Sequence, residues 1–131
     1  SDMSRINLTD DDDAIAQKIR KAKTDPEPLP EDPALLASRP EARNLVGVLA
    51  ALGNESEAAV CARFAGQGFG AFKPVLTDAL VALLSPLRTR LVELRRDEAA
   101  IDAFLAGGAE RAAALAAPTI AGAYRAVGLR P

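Results

Sequence analysis

The sequence predicts an all-α fold: a single helical-bundle domain of about six helices around one long central helix that Pro86 is expected to kink. Three observations carry this. Hydrophobic residues make up 49% of the 131-residue chain but aromatic ones only 4%, so the core must be built from Leu, Ala, Val and Ile, which favours helices. No stretch alternates strictly between apolar and polar positions, as a half-buried strand would. Apolar residues recur at helical spacing instead, over a length suited to one compact domain.

Taken in order, the first helix is signalled by Thr9 as N-cap with Asp12 three residues on. Ile15, Ile19 and Ala22 mark its inner face. Asp10 to Asp13 sit at its N-terminal end, and Lys18, Arg20, Lys21 and Lys23 at its C-terminal end, as the helix dipole prefers. Residues 26–40 carry five prolines, Pro26, Pro28, Pro30, Pro33 and Pro40. They predict an extended, partly mobile connector, a linker or a strap. A second helix opens at Pro40 and runs to Gly53, the expected αL cap, with Leu45, Val48, Leu49 and Leu52 on one face. A third runs from Ser56 to Ala65 with Ala59, Val60 and Phe64 inward.

The loop Gly66-Gln67-Gly68-Phe69-Gly70-Ala71-Phe72-Lys73 superficially resembles a phosphate-binding glycine loop. A dinucleotide fingerprint needs a preceding strand, and here a helix precedes it, so the glycines read as a tight turn anchored by Phe69 and Phe72. The longest helix is expected from Pro74 to Arg96, with Leu76, Leu80, Leu83, Leu84, Leu87, Leu91 and Leu94 forming the central packing stripe. Asp97 caps a short helix carrying Ile101, Phe104 and Leu105 that ends at Gly107. A last helix runs from Gly108 to Val127, with Leu115, Ile120, Tyr124 and Val127 inward.

Composition excludes much chemistry. Histidine is absent, which removes Ser/His/Asp and Cys/His catalysis and most zinc sites, so neither a metal site nor a catalytic residue is expected. The single cysteine, Cys61, reads as a buried apolar filler and suits a reducing compartment. Asp10 to Asp13 and Asp97-Glu98 sit at helix starts, where capping accounts for them without a carboxylate mechanism. No apolar run approaches bilayer-spanning length and the N-terminus lacks a signal-peptide pattern, so a cytoplasmic location without a membrane partner is expected. Net charge is only −2, but it is uneven: eight basic and twelve acidic side chains in residues 1–66, eight and six in 67–131. Local patches therefore matter more than the total.

The order of short motifs is more informative than any one of them. Lys18-Ile19, Ala22-Lys23-Thr24-Asp25, Asn44-Leu45, the loop from Gly66 to Lys73, Asp97-Glu98, Gly107-Gly108-Ala109-Glu110-Arg111-Ala112 and Ala126-Val127-Gly128-Leu129 follow one another. This series resembles the C-terminal, anticodon-binding part of bacterial tryptophanyl-tRNA synthetases, class I enzymes. The likeness covers nearly the whole chain; the proline-rich stretch departs from it. It implies that 1–131 is a helical tRNA-binding domain, that a Rossmann catalytic domain with its mobile lysine-rich loop precedes Ser1, and that this segment alone is inactive. It further implies ATP with Mg in the parent enzyme and no cofactor here. The partners it implies are tRNA for tryptophan and the chain's own catalytic domain, in a homodimeric parent.

Within that resemblance, Arg20, Lys21 and Lys23 are candidates for tRNA contact on the first helix. Arg88, Arg95 and Arg96 are candidates near one side of the long one. Arg90 reads as a solvated charge or a partner of Glu93 or Glu98. Thr24-Asp25 is either a helix stop before Pro26 or a contact to RNA or the catalytic domain. A competing reading is a stand-alone helical module that holds a partner protein through an exposed apolar groove.

Overall fold

A computed structural model describes residues 2–129. The described residues form five α-helices, α1 (Asp12–Lys21), α2 (Pro40–Gly53), α3 (Glu57–Phe64), α4 (Phe69–Arg96) and α5 (Glu98–Ala126), with 3-10 turns at Asp2–Ser4 and Pro33–Ser38. No strand occurs among them, in agreement with the all-α expectation. They divide into two units, Ser1–Thr89 and Arg90–Pro131.

The first unit holds the core. Ile15 and Ile19 of α1, Ala42, Leu45, Val46, Leu49 and Ala50 of α2, and Val60, Cys61 and Phe64 of α3 pack with Phe69, Phe72, Leu76 and Leu80 of α4. Phe72 stands edge-on to Phe64, with centroids 5.0 Å apart, and to Phe69 at 6.1 Å, the geometry that ring quadrupoles favour. Cys61 is buried as expected, and burial pushes its thiol pKa up. Ala59, expected inward, is exposed.

Several caps differ from those expected. Asp11, not Thr9, caps α1, its carboxylate accepting from the Ala14 N–H at 2.7 Å. An Asp carboxylate there also meets the helix dipole, which a threonine hydroxyl cannot. Asn54, not Gly53, takes the αL conformation after α2, with φ 50°. Gly66 at φ +74° makes the turn before α4, while Gly70, Ala71, Phe72 and Lys73 are already helical.

The proline-rich connector is a strap held to the core rather than a mobile linker. Leu29 and Leu36 are 1% and 0% exposed. The Leu29 N–H donates to the Gln67 carbonyl at 2.8 Å, and the Gly66 N–H donates to the Leu29 carbonyl at 2.9 Å. Arg39 closes the strap by donating to the Asp25 carboxylate through Nε (2.9 Å) and Nη2 (2.5 Å) and to the carbonyls of Glu27 and Pro28.

α4 runs unbroken through Pro74 and Pro86. An 18-residue window within it has a mean hydropathy of 1.3, so by length and composition alone it could cross a bilayer, contrary to the reading of the sequence. Its buried part lies at its start, where Phe69, Phe72, Leu76 and Leu80 are core residues of the first unit. The leucine stripe stops there. Leu84 is half-buried, whereas Leu83 and Leu87 are each 49% exposed.

In the second unit, the two helices expected on either side of Gly107-Gly108 are one, α5, 29 residues long and with no buried residue. Asp97 caps it, accepting from the Ala100 N–H at 3.0 Å, as the sequence indicated. The residues expected inward are exposed: Leu115 82%, Phe104 76%, Val127 69%, Ile120 49% and Tyr124 42%. Nothing among the described residues buries these side chains.

Candidate nucleic-acid interface

The basic residues of α1 do not act as one cluster. Lys18 is 6% exposed, its ammonium donating to Asp10 Oδ2 at 2.6 Å and lying 3.4 Å from Asp2 Oδ2. That hydrogen bond holds the Asp10 carboxyl below the usual carboxylate range and raises Lys18. Lys23 pairs with Glu41 at 2.8 Å, which lowers Glu41 and raises Lys23. Arg20 and Lys21 form no ion pair among the described residues and are exposed.

These side chains line two different cavities of the first unit. Arg20 borders one of about 460 Å³ with Ala16, Phe69, Gly70, Lys73 and Thr77. Here Lys73, from the glycine-phenylalanine motif, donates to the Arg20 and Ala22 carbonyls at 3.1 and 2.8 Å, capping the C-terminal end of α1. Lys21 and Lys23 border the second, of about 630 Å³, with Arg5, Asn44, Leu45 and Leu80. Arg5 is a cation that sequence reasoning missed, because it precedes the first periodic segment.

Arg88 is committed to structure. Its Nη1 donates to the Asp10 carbonyl at 2.6 Å and its Nη2 to Asp12 Oδ1 at 2.8 Å. The fork thereby ties the start of α1 to α4. Arg95 and Arg96 end α4 in the second unit, both exposed and without ion pairs among the described residues. Arg90 pairs with Glu93 at 3.1 Å, as expected for i,i+3 neighbours. Thr24 is half-buried, and the Asp25 carboxylate is occupied by Arg39, which pulls its pKa down. Asp25 is thus the anchor of the strap, a role hidden from the sequence because its partner lies 14 residues away.

The first unit therefore offers exposed cations beside apolar clefts, an arrangement that suits phosphates and unstacked bases. No family model matches the chain. It is 54% identical over 128 residues to a tryptophan–tRNA ligase of Caulobacter vibrioides, covering 98% of this chain and 37% of that protein. It is 52% identical to one of Mesorhizobium japonicum (92% and 34% covered) and 54% identical to one of Rhizobium meliloti (86% and 32%). The chain spans about a third of the length of these relatives. Identity of this order along nearly the whole chain shows that it belongs to the tryptophan–tRNA ligase family.

Proposed function

We propose that this chain is the C-terminal helical part of a tryptophan–tRNA ligase and that it receives the anticodon end of tRNA for tryptophan. The parent enzyme then attaches tryptophan at the expense of ATP. The observation that carries the reading is the identity of about half to tryptophan–tRNA ligases along nearly the whole chain. Catalysis, ATP and Mg belong in this reading to a separate catalytic domain, and no residue here is assigned to them. The parent acts in the cytoplasm as a homodimer.

Within the first unit, Arg20 and Lys21 are the strongest candidates for phosphate contact, because both are exposed and unpaired among the described residues. Arg95 and Arg96 are further candidates on the second unit. Lys23 contributes through a solvent-exposed pair that phosphate can exchange. Arg88 and Asp25 act through structure, and Thr24 is left with RNA or the catalytic domain as its candidate partner. The uncovered face of α5, with Phe104, Leu115 and Ile120, is the natural docking face for that catalytic domain.

In the parent enzyme, Arg20→Glu combined with Lys21→Glu is expected to raise the KM for tRNA about tenfold, equivalent to about 1.4 kcal/mol. ATP-dependent tryptophan activation should stay unchanged. Charging and activation that both match wild type would overturn this assignment of the binding face. A wild-type 131-residue chain that binds no tRNA even at low salt would overturn the reading as a whole.

A further inference from the structure

The cavity beside Lys21 and Lys23 is bordered by residues 3–6, α1, α2 and α4. We infer that it takes one unstacked nucleotide of the bound RNA, the base entering over an apolar floor and the phosphate lying against Arg5 and Lys21. The inference rests on the tRNA-binding reading and adds a location and a chemistry to it.

Four features of the cavity point to a nucleotide. Its floor is apolar, since Ile19, Leu45 and Leu80 are each 6% exposed, so a bare phosphate would gain nothing from it. Its rim carries two cations, Arg5 and Lys21, that no acid of the described residues compensates, which calls for an anionic ligand. The one carboxylate at the rim, Glu41, is already neutralised by Lys23 at 2.8 Å. Finally, Asn44 lines the wall with a side-chain amide that has no hydrogen-bond partner among the described residues. An amide offers a donor and an acceptor side by side, which matches the edge of a base. A cavity of about 630 Å³ also lies in the range of clefts that enclose small ligands. Lys18 contributes only its aliphatic stem, because its ammonium is held by Asp10.

The test titrates the 131-residue chain with a transcript of tRNA for tryptophan, with a single-stranded heptanucleotide of its anticodon loop, and with mononucleotides. Binding is followed by anisotropy and by the NMR signal of the Asn44 amide. Asn44→Ala should weaken tRNA binding about tenfold, within the range of one lost base contact. Lys21→Glu should reduce the slope of log K against log salt by about 0.7 or more. Both positions are exposed, so the variants fold, and far-UV circular dichroism verifies it. Val48→Trp, which fills the cavity, should abolish the shift of the Asn44 amide on adding the heptanucleotide. If tRNA binds wild type and every variant equally, the cavity is not the nucleotide site, while the tRNA-binding reading stands. If wild type binds no tRNA, that reading fails and the inference falls with it. If mononucleotides alone move the Asn44 amide and RNA affinity ignores the variants, the cavity serves a free nucleotide and the RNA assignment is overturned.

Discussion

The two units are both rich in aliphatic residues and have opposite fates. In residues 1–89, apolar stripes from four helices and two strap leucines meet in one core, whereas α5 carries apolar residues of which none is buried. The difference teaches that a periodic pattern specifies which face of a helix seeks cover and is silent on what supplies it. In the first unit the cover is local in the chain. In a ligase roughly three times as long, the counterpart for α5 is in this view another part of the protein.

The largest effect expected from this contrast comes from truncating one phenylalanine in each unit. Phe72→Ala removes a ring that is fully buried between Phe64 and Phe69 and should cost about 3–5 kcal/mol in urea unfolding of the chain. Phe104→Ala, at 76% exposure, should stay within about 0.5 kcal/mol. Comparable losses would mean that α5 is covered in solution and would break the contrast.

Legibility follows the same division. The helices themselves, Pro40 at the start of α2, Asp97 as a cap and Phe69 and Phe72 as anchors could be read because each depends on neighbours within a few residues. What could not be read depends on distant partners. Leu29 and Leu36 sit among prolines without periodicity, so only their contacts with the core identify them. The sequence offers Arg88 as a candidate for tRNA contact, because nothing local reveals that it reaches Asp10 and Asp12, nearly eighty residues back. The break expected at Gly107-Gly108 fails for a local reason: the alanines on both sides are strong helix formers and outweigh two glycines. Of the candidate interface, the residue types were legible, but not the division of Arg20 and Lys21 between two cavities.

A smaller effect sharpens the contrast through pH. Asp10 and Asp25 are both held below the ordinary carboxylate range by hydrogen bonds from Lys18 and Arg39. The folded first unit therefore gives up these protons more readily than the unfolded chain. The stabilisation is complete above about pH 4 and is lost as pH falls through the lowered values. Amide protection in α1 and the strap, relative to the unstructured chain at the same pH, should fall below that pH before protection in α3 does. The double variant Asp10→Asn, Asp25→Asn should start less stable and lose this step, and a step that persists in it would belong to other carboxylates.

The smallest effect tests whether α5 is merely exposed or awaits a close neighbour. A Cβ built on Gly107 would meet Arg111 Nη1 at 3.6 Å, an ordinary contact, and one on Gly122 would meet nothing within 4 Å. Alanine is favoured over glycine inside a helix by roughly 0.5–1 kcal/mol, so each substitution should slow amide exchange in α5 of the isolated chain. The parent enzyme then separates two causes for the glycines. If Gly107→Ala stabilises the chain but weakens the parent, measured by thermal unfolding of each, another backbone approaches α5 at this point and requires the missing Cβ. If both are stabilised alike, the docking partner leaves room there, and the contact must lie elsewhere along α5, with the exposed Leu115 and Ile120 next in line.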